Sequence, residues 1–373
     1  MKNVVNRIMA MLYKEFIYLI RDKKMRIIII AVPIIQAVLL GYAVNMDLKH
    51  VKTAVVDMDN TIESRNFISH FFSNNIFSYI HADNMEEAEQ LVLSGKALMI
   101  ISIPSGFEEK LSQNRVASLQ VILDATNSVN AGMASGYILE IIKLYNANYV
   151  SQKTGIKSSI GVDTEYRTWF NDGFESKNFF VPSMLAMLLI IVTVMLSGMA
   201  IVQEKESGTL EQLTVSPITA WEFIIGKCIP FAVVSFIDVI LIIAISVFWF
   251  NIHITGSFLL LLFASILYIM CTLGIGLLIS AISSTQQQAS ISMFMIIFPL
   301  ILLSGFAFPI VNMPEIIQWI TYVNPMRYYL DIIVGVFLKG LYLDRLKGPT
   351  FALFILSILY IGLAALYLKK KLK

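Results

Sequence analysis

Few residues in this sequence have the type and spacing that chemistry needs. Asp57, Asp59 and Asp124 fall at the ends of β-rich runs, where carboxylates could hold a metal ion or a phosphate. No histidine or further ligand shares their spacing, and short acids after a strand serve turns and helix caps, so we read them as turn and cap residues. His50, His70, His81 and His253 are scattered, and no Ser, His and Asp set can be assembled from spacing. Cys228 and Cys271 sit in apolar stretches far from a C-x-x-C spacing, which suits packing rather than zinc or a disulfide framework. Gly95-Lys96 and Gly226-Lys227 lack the earlier glycine and the following hydroxyl residue of a phosphate-binding loop. Asp238 is the one acid deep in an apolar run. Because a carboxylate is costly in lipid, it is expected to face the protein interior, either as a substrate or ion contact or as a structural or dimer-interface partner.

The elements that must position these residues are mostly membrane helices. Apolar residues make up 57% of the 373 and charged residues only 14%, against about half and a quarter in soluble domains. A bilayer core needs about 20 apolar residues in a helix that closes its own hydrogen bonds. Six runs qualify: 27–44, 179–202, 223–250, 258–282, 291–310 and 351–368. The fold class is therefore a polytopic α-helical membrane protein. Lys14, Glu15, Arg21, Asp22, Lys23, Lys24 and Arg26 precede the first run, so it is expected to be a retained span and not a signal peptide. This basic group and the C-terminal Lys369, Lys370, Lys371 and Lys373 put both ends in the cytoplasm, as an even number of spans requires. Residues 45–178, 251–257 and 311–350 then lie outside. Arg327, Lys339, Arg345 and Lys347 run against that orientation, but several of them are interleaved with acids. Within residues 1–26, Val5, Ile8, Met9, Leu12, Phe16, Leu19 and Ile20 recur near helical spacing among basic residues, as in a helix lying in the membrane interface.

The segment 45–178 carries an excess of about five acids, whereas the rest of the chain has roughly seven more bases than acids. From Val51 to Tyr149, short strands (Thr53–Val56, Phe77–Ile80, Ala97–Ile103 and Leu119–Leu123) alternate with helices at 62–72, 85–93, 106–111 and 129–149. That alternation implies an extracytoplasmic α/β domain of about a hundred residues between spans 1 and 2. Further on, Pro309 and Pro314 interrupt helices, and the apolar stretches 316–323 and 328–338 are too short or too charged to span. Residues 311–339 are expected to form a re-entrant helical pair between spans 5 and 6, with Asn324, Arg327 and Tyr328 on an exit path or outer gate. Interfacial anchoring by Trp319, Tyr322, Tyr328 and Tyr329 explains the aromatics equally well.

Directly after the second span stands a short amphipathic segment, 203–217, with Leu210, Leu213 and Val215 set against Glu204, Glu206 and Glu211. Its pattern fits a surface that packs on a soluble partner, or a solvated loop helix. The run Glu204-Lys-Glu-Ser-Gly-Thr-Leu-Glu-Gln-Leu213, followed by Ser216-Pro217, resembles the cytoplasmic motif of permease subunits of type-2 ATP-binding-cassette exporters. Lys14-Glu15-Phe16 with Arg21-Asp22, and Ser304-Gly-Phe-Ala-Phe-Pro309 continuing to Asn324-Pro325-Met-Arg-Tyr-Tyr329, match the same family in the same order. The large insert after the first span is typical of one branch of it.

This resemblance implies a transport subunit, not an enzyme: ATP and Mg are held by a separate ATPase subunit, and this chain binds no cofactor. The ATPase-coupling residues it implies are Glu204, Glu206, Gly208, Thr209, Glu211 and Leu213, supported by Lys14, Glu15, Arg21 and Asp22. It further implies a dimer with a second permease chain, identical or related, in a bacterial inner membrane, with membrane lipids and a periplasmic adaptor as further partners and no nucleic acid. The alternative from another class is a membrane-anchored receptor or scaffold acting through the α/β domain, which would not need the 203–217 motif. A membrane enzyme would need paired carboxylates or histidine at one depth, and the spans offer only Asp238.

Overall fold

The computed structural model of the chain describes residues 2–21, 23–43, 50–74, 76–113, 115–126, 128–154, 176–209 and 219–371. They fall into two units, one of helices and one built on a sheet within residues 46–167. At the N-terminus α1 (Lys2–Arg21) is followed by the apolar α2 (Lys23–Ala43). On α1, Val5 and Met9 of the apolar stripe are exposed, as a face turned to lipid would be, while Met11 and Glu15 are buried against the protein. Met11 packs against Gly226, where any side chain would collide with its thioether.

The α/β unit runs β1 (Val51–Asp57), α3 (Ile62–Phe71), β2 (Phe77–His81), α4 (Met85–Leu93), β3 (Met99–Ile103), α5 (Phe107–Ser112), β4 (Gln120–Leu123) and α6 (Ser128–Thr154). The sheet order is β2-β1-β3-β4, with β2, β1 and β3 parallel and β4 antiparallel to β3. Strands joined through helices have both faces covered, and every residue of β3 is buried accordingly. Phe67, Phe71, Phe107 and Tyr145 fill one side of the sheet, and Ala54, Ala88, Ala97 and Ile100 the other. Small residues on that second side let α4 lie close to the strands.

Asp57 and Asp59 close this unit's turns. One Asp57 oxygen accepts from the N–H groups of Asp59 and Asn60 at 3.1 and 3.0 Å, and the other from the Ser64 hydroxyl at 2.7 Å. Asp59 reaches across sequence to accept from the N–H groups of Gly106, Phe107 and Glu108 at 2.7, 3.0 and 3.0 Å, fastening the start of α5 to the β1 turn. Partial burial raises its pKa, but the Thr61 hydroxyl and those three amides outweigh it and hold the carboxyl below its ordinary value.

The helical unit resumes with α7 (Ser176–Glu206), α8 (Ala220–Ala244, continued by a π-helical turn Ile245–Trp249) and α9 (Phe258–Ile282). It ends with α10 (Gln286–Leu302), the short α11 (Glu315–Ile320), α12 (Pro325–Phe337) and α13 (Leu343–Lys371). Among the described residues four helices are long and apolar enough to cross a membrane: Ser176–Glu206, Trp221–Trp249, Phe258–Ile282 and Leu343–Lys370. The first and fifth expected spans fall on shorter apolar helices, Ala31–Tyr42 and Gln286–Leu302. The run 291–310 does not stay helical to its end, because the Ser304 hydroxyl turns back to the Ile301 carbonyl at 2.7 Å and Gly305 adopts a left-handed conformation. At the other end of the chain the last span begins earlier than 351, in a helix starting at Leu343.

Close helix approach holds this unit together where lipid supplies no hydrophobic drive. A Cβ on Gly274 would lie 2.8 Å from the Ile361 amide nitrogen, so α9 and α13 meet nearly backbone to backbone. The aromatic rings of Tyr268 on α9 and Tyr329 on α12 stack at 4.3 Å. The Tyr329 hydroxyl pairs with Ser265 at 2.6 Å, and that of Tyr268 donates to the Ala186 carbonyl on α7 at 3.0 Å.

Replacing Asp59 by Ala is expected to cost the α/β unit about 1–2 kcal/mol and to speed hydrogen exchange at the amides of Gly106, Phe107 and Glu108. Because the folded carboxyl has the lowered pKa, its contribution is complete above the unfolded value, near 4, and is lost as pH falls through the folded one. Wild type and Asp59→Ala should therefore differ in intrinsic-rate-corrected exchange at neutral pH and converge in acid. Equal protection at neutral pH would remove Asp59 from this role.

Candidate functional site

The Glu204-Lys-Glu-Ser-Gly-Thr209 run is a helix terminus before it is anything else. A helix leaves its last carbonyls unpaired, and a residue in the left-handed region lets the chain turn back to satisfy them. Gly208 supplies that conformation at φ 73°, with its N–H on the Lys205 carbonyl at 3.2 Å. The Thr209 hydroxyl donates to the Glu204 carbonyl at 3.1 Å and also contacts the Glu204 carboxylate. Glycine and threonine at these two positions are thus what ends α7 just past Glu206.

The same turn is fastened to its neighbours. The Lys205 ammonium donates to the Ser283 carbonyl at 3.0 Å, and Glu206 accepts from the backbone N–H and side-chain amide of Gln286 at 2.7 and 2.6 Å. Both partners lie where α9 passes into α10. Across the bundle, α8 begins with a capping box in which Thr219 and Glu222 satisfy each other's backbone N–H groups. The guanidinium of Arg7 on α1 reaches the same Glu222 at 2.7 Å.

Between these ends lies a buried ion cluster. Lys227 on α8 is 2.7 Å from Glu15 on α1 and 2.9 Å from Glu204 on α7. Lys14 closes it from the more exposed side, 3.1 Å from Glu204 and 3.9 Å from Glu15. The four residues carry two positive and two negative charges, so the group is neutral as a whole. Relative exposure is only 4% for Glu15, 6% for Lys227 and 8% for Glu204, a degree of burial that charged side chains tolerate only when paired. Three helices distant in sequence are joined through one ammonium group.

The structure thus brings Lys14, Glu15, Glu204 and Thr209 together, sets Glu206 and Gly208 beside them, and leaves Arg21 exposed on α1. Asp22, Glu211 and Leu213 lie outside the described residues. Arg7, Glu222 and Lys227 complete the site although the spacing argument passed over them. A lysine near the start of an otherwise apolar span was the available signal, since a cation at that depth needs an acid from another helix.

The remaining candidates lie elsewhere in the helical unit. Asp238 is 1% exposed, and neither carboxylate oxygen has a hydrogen-bond partner among the described residues. Asn324 is buried and spent on structure: its amide donates to the Leu300 carbonyl at 2.7 Å and its oxygen caps α12 by accepting from the Met326 N–H at 3.0 Å. The Tyr328 hydroxyl donates to the Tyr322 carbonyl at 3.0 Å. Arg327 lies 4.3 Å over the Tyr322 ring and lines a cavity at the end of the bundle away from Glu204.

Residues 23–366, nearly the whole chain, match the family model described as ABC-2 family transporter protein. The chain belongs to the ABC-2 transporter family. Among its ABC-2 relatives is the Escherichia coli (strain K12) protein named "Probable multidrug ABC transporter permease YbhR", 33% identical over 353 residues, covering 94% of this chain and 95% of that one. The same organism's "Probable multidrug ABC transporter permease YbhS" is 28% identical over 368 residues, 98% of this chain and 97% of the relative. "Inner membrane transport permease YhhJ" is 26% identical over 293 residues, covering 77% and 76%. The ABC-2 match includes α2, the insert and the helices up to residue 366, so the ion cluster is part of an ABC-2 permease, apart from the α1 residues that precede the matched region.

Lys227→Met in this ABC-2 chain leaves Glu15 and Glu204 with only the more exposed Lys14 between them. Breaking a buried pair from one side costs about 3–5 kcal/mol, so the amides of α1 at residues 4–17 should exchange faster while those of the α/β unit stay as in wild type. Unchanged protection along α1 would mean that the cluster does not hold the helix.

Proposed function

We propose that this ABC-2 chain is the permease half of an exporter that carries a hydrophobic or amphiphilic substrate out of the cytoplasm or inner leaflet by alternating access. On this reading the protein lies in a bacterial inner membrane with both termini cytoplasmic, and the α/β unit is extracytoplasmic, where a periplasmic adaptor can reach it. Hydrolysis belongs to a partner ATPase that holds ATP and Mg, and a second permease chain completes the path.

The ion cluster is the observation that carries the reading. A soluble partner pressing on residues 203–217 and α1 would meet elements already joined through Lys227, Glu15 and Glu204, so its motion would reach α1, α7 and α8 together. Glu206 extends the same connection to α10 through Gln286. Outside the cluster, a cleft between α7 and α10 lined by Met187, Met195, Phe294 and Phe298 exposes no polar surface, which suits an apolar cargo or the second chain. The names of the relatives, which speak of multidrug permeases, favour the same class of cargo.

The test is ATPase activity of the purified chain, alone and with a candidate partner ATPase from the same cell, for wild type and Glu211→Arg. Activity should appear only with the partner, and charge reversal at the docking segment should weaken the stimulation at least ~tenfold. If no ATPase from the same cell binds, the receptor or scaffold reading of the α/β unit replaces this one.

A further inference from the structure

At the end of the helical unit away from Glu204, the start of α7, the turn after α10, the face of α12 and the first turns of α13 enclose a cavity of about 550 Å³. Ile310, Val334 and Leu346 give it apolar walls, and Arg327, Asp331 and Lys339 give it charge. Among the described residues none of these three forms an ion pair. Arg327 is held in place, its guanidinium stacked over Tyr322 and hydrogen-bonded to the Thr321 hydroxyl, and this uses only part of its five-donor fork. Asp331 follows it by one turn on α12, about 6 Å along the axis. Lys339 lies just beyond the end of α12.

We propose that this cavity binds the headgroup of a zwitterionic phospholipid, with its phosphate on Arg327 and Lys339 and its ammonium on Asp331. Two cations alone would suit any anionic head. The Asp331 carboxylate in the same cavity repels a purely anionic one and offers a partner to a primary ammonium, and the one-turn spacing of Arg327 and Asp331 suits the short separation of phosphate and amine in phosphoethanolamine. A lipid is favoured over a soluble phosphoamine because the walls are apolar and because Trp319, 73% exposed, and Tyr322, 51% exposed, stand beside the site. Exposed amphipathic aromatics of this kind sit at the depth of lipid headgroups. The inference rests on the membrane reading of the chain but not on export, since binding is measured without an ATPase.

The experiment is lipid retention by the full chain in detergent, followed by native mass spectrometry with equimolar phosphatidylethanolamine, phosphatidylglycerol and phosphatidylcholine. Wild type should retain phosphatidylethanolamine about fivefold or more over the other two. Asp331→Asn should abolish that preference while still binding phosphatidylglycerol, and Arg327→Gln should lose both. Because Arg327 also packs on Tyr322, Lys339→Gln at an exposed position serves as the independent variant and should weaken both lipids without lowering the melting temperature. Equal retention of all three lipids by wild type, or an unchanged preference in Asp331→Asn, overturns the proposal. Displacement of the bound lipid by millimolar phosphoethanolamine would also overturn it, because a soluble head would then suffice.

Discussion

A lysine ammonium with almost no access to water is the constraint around which the motif end of this protein is arranged. A buried ammonium is tolerated only when carboxylates come to it, and no acid on the helix of Lys227 does so: Glu15 arrives from α1 and Glu204 from α7. Their placement fixes more than themselves. Met11 must pack on Gly226 for Glu15 to reach, and α7 must end where it does for Glu204 to point back while Thr209 closes on it. The Gly208 turn is therefore at once a helix stop and one side of an ion cluster.

The two units meet the same problem of polar groups by different means. In the α/β unit, backbone donors at loop ends are satisfied by nearby acids, with Asp59 serving three amides of a segment almost fifty residues away. In the helical unit the backbone largely satisfies itself, and side-chain hydroxyls of Thr193, Ser197, Thr272 and Ser357 return to carbonyls of their own helices. Asp238 stands outside both solutions, with two buried oxygens unpartnered among the described residues. Asn324 and Tyr329 show how the break after α10 is made good: one ties α12 to the end of α10 and the other ties it to α9.

Much of this was legible in the residues. Strand and helix order in the α/β unit follows from period and turn chemistry, and the elements begin and end within a few residues of expectation, with Thr61 and Asn84 capping α3 and α4 through their side chains and Gly106 opening α5 through a left-handed backbone. The apolar runs located the helices, but not where α10 stops, since Leu303 and Phe306 to Phe308 continue the apolar composition through a turn set by Ser304 and Gly305. The buried side of α1 was hidden for a different reason. Periodicity marks the stripe that an interfacial helix offers to lipid but not the side it turns to protein, and on α1 that side carries Met11 and Glu15, which pairs with Lys227. Glu204 and Glu206 were singled out through a family resemblance, whereas their partners Lys227 and Gln286 are three-dimensional facts that no spacing rule contains.

The most direct measurement is a double-mutant cycle on thermal unfolding of the purified chain, with Lys227→Met, Glu204→Gln and both together. If Lys227 is the buried cation these helices share, Lys227→Met alone is the most damaging, because it leaves two buried carboxylates with only the more exposed Lys14. Adding Glu204→Gln should then recover part of the loss, with a coupling of about 1–3 kcal/mol. Simple additivity of the two substitutions would contradict the claim that this one ammonium joins α1, α7 and α8.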